Sequence, residues 1–250
     1  MNYDFYEMPV SRDADPLPLA VPEDCRLVSL PQIPEPLVAL SGSFDVVIDQ
    51  PGGRSRVPLS RAHTGLQVPA GVRWRVDEPS TNSVGLVISS EPNRPRRLGS
   101  DQLDEGVPAA LNLDSTIDDC RAITLSRRRR LRGSTSIATP RSDVPFDIRR
   151  VYYLYDVPGG ARRGGHAHRR LEEVLLAVAG SFDVVLNDGR RVGVTRLDRA
   201  YSSVHLATGI CRELRNFSSG AICLVLASAP YDEADYIREY DDFRREKHVP

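Results

Sequence analysis

The chain has 250 residues, 33 Lys plus Arg against 34 Asp plus Glu, and 40% apolar residues; this is about twice the commonest domain size, so two domains of roughly 110 to 140 residues are expected. A formal net charge of −1 provides no overall field for nucleic acid or an anionic membrane, so neither is an expected partner. The opening MNYDFYEMPVSRDADPLP has no basic or apolar leader pattern, no apolar run approaches the roughly 18 residues of a membrane span, and Cys25, Cys120, Cys211 and Cys223 form no C-x-x-C pair; the expectation is a cytoplasmic protein with reduced thiols.

In chain order, Leu37 to Ile48 is a β-rich run closed by Gly52-Gly53, and Val84 to Ile88 is a second. Residues 91 to 119 then mix Pro, Arg, Asp and Gly with few consecutive apolar residues, as a linker does. The boundary is placed near residue 110, giving domains 1–110 and 111–250. The basic run Arg127 to Arg130 with Arg132 lacks interleaved aromatics and reads as a solvated face. Further strands are expected at Val174 to Leu186, closed by Asn187-Asp188-Gly189, and at Ala221 to Ala227. A last segment, Asp232 to Lys247, places Tyr236, Tyr240 and Phe243 at i, i+4 and i+7 behind Asp232, predicting a C-terminal helix with Asp232 as N-cap and an apolar stripe on the barrel.

The hexapeptide GSFDVV occurs at Gly42 to Val47 and again 138 residues later at Gly180 to Val185. The same offset aligns Arg61-Ala62 with Arg199-Ala200, Gly71-Val72 with Gly209-Ile210, and Ser90 with Ser228. Short strands repeated in this register predict an all-β chain of two tandem sandwich-like or closed barrels.

The copies differ just before the hexapeptide. From Arg150 to Gly180 the second spends thirty residues, where the first spends sixteen from Arg26 to Gly42. The extra segment holds a Gly- and Arg-rich loop and then His166-Ala167-His168. Residues i and i+2 of a strand share a face, so both imidazoles are expected in the barrel lumen, where each can exchange a proton near neutral pH; a pair of exposed strand histidines is the alternative.

Gly160, His166-x-His168, Glu173 and Gly180 follow the spacing G-x5-H-x-H-x(3,4)-E-x6-G, which resembles the first cupin motif and implies double-stranded β-helix (jelly-roll) barrels. In metal-dependent cupins the two histidines and the glutamate resemble a facial triad completed by a later histidine. Here Arg212 stands at that later position and Trp74 at its counterpart in the first copy, and neither ligates a metal.

A wider resemblance covers Ile123 to Phe243. It is carried by Arg132-Gly133, Val144-Pro145-Phe146-x-Ile148, Arg150-Val151-Tyr152-Tyr153, Arg163-Gly164-x-His166-Ala167-His168, Leu171-Glu172, Asp188-Gly189, Val225 to Ser228 and Tyr231-Asp232-Glu233-x-Asp235-Tyr236-Ile237-Arg238. These residues resemble the dTDP-sugar 3,4-ketoisomerases, a cupin family acting on dTDP-4-keto-6-deoxyglucose. The resemblance implies a cofactor- and metal-free isomerase in which His166 and His168 move protons between sugar carbons 3 and 4 through an enediol. Catalysis is therefore expected of His166, His168 and Tyr153, and substrate binding of Arg212, Glu173 and Arg163, with Tyr153 and Arg212 suited by their chemistry to the sugar oxygens and Arg163 to the diphosphate. Arg212 points to a gluco product, while Ser134, where a larger residue is usual, leaves galacto open. Arg130, Cys211 and Glu173 also depart from the family pattern, and Glu173 restores a carboxylate typical of metal cupins. A metal enzyme using His166, His168 and Glu173, or a catalytically silent sugar-nucleotide-binding protein, are therefore the competing readings. The first copy, lacking the histidines, is expected to serve as the fused partner of an intrachain pseudo-dimer, with homodimerisation of the whole chain also compatible.

Overall fold

The computed structural model describes residues 2–4, 26–29, 36–50, 53–69, 72–89, 113–130 and 133–249. The expected linker before residue 113, the boundary near 110 and Arg132 lie outside the described residues. The described chain falls into two compact units, one taking the residues up to Ser89 together with Ser126–Thr139, the other taking 113–125 and the residues from Pro140 onward.

The first unit contains β1 (Asn2–Asp4), β2 (Arg26–Ser29), β3 (Pro36–Ser41), β4 (Phe44–Gln50), β5 (Gly53–Leu59), β6 (Thr64–Gln67), β7 (Arg73–Asp77) and β8 (Val84–Ser89). The second begins with β9 (Arg121–Thr124). The basic segment and its successor, β10 (Ser126–Arg130) and β11 (Gly133–Ala138), then join the first unit's sheet, ordered β10-β11-β1-β8-β3-β6-β2 beside a smaller β5-β4-β7 sheet. Side chains Arg127, Arg128 and Arg129 are exposed, as a solvated run requires.

The second unit continues with β12 (Arg150–Leu154), β13 (Arg163–His168), β14 (Glu173–Ala179), β15 (Phe182–Asn187), β16 (Val192–Leu197), β17 (Ser202–Leu206), β18 (Cys211–Arg215), β19 (Ile222–Ala227), β20 (Tyr236–Ile237) and helix α1 (Tyr240–Glu246). Its sheets are β12-β19-β14-β17-β9 and β16-β15-β18-β13-β20. Along β15 burial alternates, so Phe182, Val184 and Leu186 point inward. They meet Leu175, Ala177, Cys223 and Val225 of the other sheet in one apolar core, each fully buried large side chain contributing about 1.5–3 kcal/mol. In the first unit Phe44, Val46 and Ile48 likewise meet Leu37, Ala39 and Leu66.

The repeated Gly-Ser has a structural cause in each unit. Gly42 and Gly180 adopt φ of +65° and +63°, and a Cβ at either would run into the hydroxyl of Ser80 or Ser218. That hydroxyl accepts a hydrogen bond from the next backbone N–H, Ser43 at 2.8 Å and Ser181 at 2.9 Å. Glycine is therefore needed for its conformation and for the close approach of the opposing loop.

The expected helix over Asp232 to Lys247 is corrected. Asp232 does act as an N-cap, accepting from Ala234 N at 3.0 Å, but it caps a single 3₁₀ turn, Glu233–Asp235. Tyr236 and Ile237 are then drawn into strand pairing with His168 and Ala167. The Asp235 carboxylate accepts from the N–H groups of Arg170 and Leu171 at 2.8 and 3.1 Å. A continuous helix would forfeit these bonds, so the helix begins only at Tyr240. Phe243 is buried with Ala167 and Ile237, whereas Tyr240 is 45% exposed, so the predicted stripe reduces to one anchor. Among the described residues no helix is long and apolar enough to cross a membrane.

Candidate active site

The geometry originates in a β-bulge. β13 pairs with β18 through Arg163–Leu214, Gly164–Glu213 and His166–Arg212, leaving Gly165 as the extra residue. Gly164 and Gly165 both have positive φ, and a Cβ on Gly164 would lie 2.8 Å from Arg212 Nη1. The Gly-Gly pair thus lets the guanidinium cross the strand and re-aims the residues that follow. Beyond the bulge His166 and His168 share one face, while Ala167 is buried on the other against Ile237 and Phe243. The imidazole centroids lie 5.0 Å apart, edge to face.

The face opens on a cleft of about 490 Å³. β12 contributes Arg150, Tyr152 and Leu154, β13 contributes Arg163 and His166, β18 contributes Arg212 and Leu214, and Tyr231, Tyr236 and Arg238 form a lip. His168 lies behind His166, 4% exposed, with the Tyr236 ring centred 4.3 Å from it and 4.8 Å from His166.

Glu173 and Arg212 form a buried ion pair at the floor, with Arg212 Nε and Nη2 donating to Oε2 at 3.1 and 2.9 Å. The other carboxylate oxygen accepts from the Tyr152 hydroxyl at 2.6 Å. Burial alone would raise the Glu173 pKa, but the Arg212 and His168 charges hold it below the usual carboxylate range. Burial, followed by the Glu173 charge, pushes the Tyr152 phenol up. Arg212 Nη1 lies 3.2 Å from His166 Nδ1. Burial first, and then this guanidinium, lower the His166 pKa to about 3, so its imidazole is neutral at physiological pH. With Nδ1 accepting from this N–H donor, the neutral imidazole carries its proton on Nε2, which is buried without a hydrogen-bond partner. Both ring nitrogens of His168 are buried and outside hydrogen-bond geometry, Nδ1 standing 3.2 Å from the Asp235 carboxylate and Nε2 3.8 Å from that of Glu173.

Of the six residues singled out from sequence, the structure brings His166, His168, Arg163, Arg212 and Glu173 to this cleft or its floor. It does not bring Tyr153, whose ring lies on the opposite side of β12, 5.9 Å from Tyr155, with burial pushing its phenol up to about 12. Tyr152 enters instead, because its cross-strand partner Val225 also pairs with the inward Leu175, which fixes the parity of β12. Glu173 sits behind Arg212, its two oxygens occupied by protein donors. Sequence reading missed Arg150, Tyr152 and Tyr231, and treated Tyr236 only as a packing residue.

These donors do not fit a cation. The carboxylate of the would-be triad is committed to Arg212 and Tyr152, and a guanidinium at 3.2 Å from His166 Nδ1 would repel a metal there. Among the described residues no cluster of three or more His, Cys, Asp or Glu could hold a metal ion.

Comparison with known proteins places these features in a family. The family model described as FdtA, WxcM-like, C-terminal, matches residues 31–96 and 118–248. The TDP-4-oxo-6-deoxy-α-D-glucose-3,4-oxoisomerase of Aneurinibacillus thermoaerophilus is 41% identical over 114 residues, 46% of this chain and 82% of that one. Among solved structures, a 3,4-ketoisomerase from Helicobacter canadensis is 42% identical, covering 52% of this chain and 98% of that one with a TM-score of 0.50. QdtA, a sugar 3,4-ketoisomerase from Thermoanaerobacterium thermosaccharolyticum in complex with TDP, is 32% identical over 53% of this chain and 97% of its own, with a TM-score of 0.52. The family match spans more than half of the sequence and includes every residue lining the cleft, so the chain belongs to the FdtA, WxcM-like C-terminal family.

Proposed function

We propose that the second unit is a sugar 3,4-ketoisomerase that converts a dTDP-linked 4-keto-6-deoxyhexose to its 3-keto isomer. The observation that carries this reading is the meeting, in one cleft, of a neutral imidazole with an unpartnered buried nitrogen, a second imidazole behind it, and a phenol and guanidinium able to serve sugar oxygens. The relatives' activities and their TDP and TDP-sugar ligands support the same substrate class.

In the reaction the C3–H bond breaks, its proton passes to a base, and its electrons form the C3–C4 double bond of an enediolate with negative charge on O4. The O3–H proton passes to O4, and protonation at C4 then leaves a ketone at C3 and a hydroxyl at C4; no net oxidant is needed. His166 is the imidazole at the reacting carbons. His168 extends the proton path, steadied through Nδ1 by Asp235. Tyr152 takes the place expected for Tyr153, moving a proton at the sugar oxygens, and Arg212 offsets oxyanion charge. Glu173 is a positioning residue, holding Arg212 and Tyr152 in place.

Incubation of the protein with dTDP-4-keto-6-deoxyglucose in D₂O, followed by NMR, tests this. A 3-keto product carrying deuterium at C4 is expected; tight binding without turnover would establish the silent-binder reading instead.

The first unit is proposed as the fused partner of a pseudo-dimer. Removal of residues 1–110 should leave an aggregating or destabilised remainder, because β11 loses its partner β1. A soluble, monomeric and equally stable remainder would overturn that role.

A further inference from the structure

Helix α1 buries a single side chain, that of Phe243, yet its last residue and the one after it reach both sides of the peptide that leaves His168. Glu246 forms a two-pronged ion pair with Arg169, accepting from Nε at 2.8 Å and from Nη2 at 2.5 Å. The third nitrogen of that guanidinium, Nη1, donates to the carbonyls of Ala234 and Tyr236 at 2.6 and 3.0 Å. Lys247, 8% exposed and the sole lysine of the sequence, donates from Nζ to the carbonyl of Ser115 and, at 2.9 Å, to that of Gly209. Gly209 passes the connection on, its own N–H donating to the His168 carbonyl at 2.7 Å, while the Arg169 N–H donates to the Asp235 carbonyl at 3.0 Å. Both polar groups of the His168–Arg169 peptide are therefore fixed, one through Gly209 by Lys247, the other beside the turn that Arg169 holds against Glu246.

Arg169, Glu246 and Lys247 lie outside the cleft lining, but what they hold decides how the imidazoles stand. Neither ring nitrogen of His168 is in hydrogen-bond geometry, so the ring is oriented by its own backbone and by the Tyr236 ring packed 4.3 Å from it. The backbone is tied through Gly209 to Lys247, and the Tyr236 carbonyl is tied through Arg169 to Glu246. We infer that Arg169, Glu246 and Lys247 form a C-terminal clamp that positions His168 for proton transfer. The inference rests on the isomerase reading above and adds three positioning residues to it, none of which touches the reacting atoms. It also couples the helix to the cleft: the Tyr236 ring lines the cleft while its carbonyl accepts from Arg169, so a ligand that restrains Tyr236 restrains α1, and by linkage the clamp favours the liganded arrangement.

Steady-state kinetics and the reactivity of the sole lysine, both on the full chain, test the clamp. Glu246→Gln leaves the cleft lining intact; it should lower kcat by about 10- to 100-fold, the scale of a misplacement of roughly 1 Å, with KM and the calorimetric affinity for thymidine diphosphate unchanged. Glu246→Asp, which keeps the charge, should recover part of the loss. In wild type, acylation of Lys247 by an N-hydroxysuccinimide ester, read by peptide mass spectrometry, reports local opening of the C-terminal segment. It should slow when thymidine diphosphate is bound, and in Glu246→Gln it should be faster and less responsive to the ligand. Wild-type kcat in Glu246→Gln overturns the inference, as does a fall in kcat matched by an equal loss of thymidine diphosphate affinity, which marks general damage to the fold. Acylation of Lys247 that bound thymidine diphosphate leaves unchanged overturns it too. A wild-type protein that makes no 3-keto product defeats the isomerase reading instead; protection of Lys247 by the ligand then still upholds the link from helix to cleft, and its absence still overturns it.

Discussion

Replacing Glu173 with Leu tests the buried network most directly. Glu173 and Arg212 are 2% and 5% exposed, and the carboxylate accepts from Arg212 at 2.9 and 3.1 Å and from Tyr152 at 2.6 Å. Leucine removes all three acceptor contacts and leaves a guanidinium charge in the interior, a situation that costs about 3–5 kcal/mol. At roughly 2–4 °C per kcal/mol, the melting temperature followed by circular dichroism at pH 7 should fall by roughly 6–20 °C. Adding Arg212→Met to the same chain removes the stranded charge and should restore most of that stability while abolishing turnover. The effect has a defined pH sense. The folded pKa of Glu173 is depressed, so its stabilisation is complete above the ordinary carboxylate range and drains only as pH falls through the lower folded value. The gap between wild type and variant should therefore narrow only in acid. A loss below about 1 kcal/mol, or a double variant no more stable than the single one, would refute the view that Glu173 exists here to answer Arg212.

Three further outcomes are expected. His166→Asn should lower kcat by about 10²–10⁴-fold, as for loss of a positioned acid-base group, while calorimetry finds thymidine diphosphate binding retained. Tyr152→Phe should reduce turnover at least tenfold, on the order of one lost proton-transfer contact, whereas Tyr153→Phe should stay close to wild type in the same kinetic assay. The His166 imidazole titrates near pH 3 in the folded protein and near about 6.5 when unfolded, so its contribution to stability is full above that upper value and is lost as pH falls toward the lower one; denaturant titrations between pH 7 and 4 should show a steeper acid loss for wild type than for His166→Asn.

The shell of the fold was legible because its signals are local and repeated. The strands flanking Gly42-Ser43 and Gly180-Ser181 could be placed in register from sequence, and six strands of the first unit, β3 to β8, have counterparts β14 to β19 at the same 138-residue spacing. What could not be read were events settled by tertiary pairing. Tyr236 and Ile237 fit a helical stripe, and only the exposed edge of β13 with the waiting N–H groups of Arg170 and Leu171 decides that they form a strand. β12 has apolar character at both parities, so the choice between Tyr152 and Tyr153 depends on a cross-strand register that the run itself does not contain. Arg150 entered only as part of the motif Arg150-Val151-Tyr152-Tyr153 and was given no role, since its isolation from carboxylates is a property of the folded cleft.

The two copies separate what a barrel needs from what chemistry needs. At the position of Arg212 the first unit carries Trp74, packed against an apolar core that includes Ile48, Val57 and Val76, and the Gly-Gly-His bulge is absent from its sequence. An aromatic side chain there requires neither a buried counter-ion nor a glycine to let it pass. The second unit retains the more demanding solution, a guanidinium in its lumen, a carboxylate to neutralise it, and a phenol tied to both, although apolar replacements of buried ion pairs are often as stable or more so. Since stability does not call for that network and the same strand framework forms without it in the first unit, its place beside His166 and His168 accords with the chemistry proposed for that cleft.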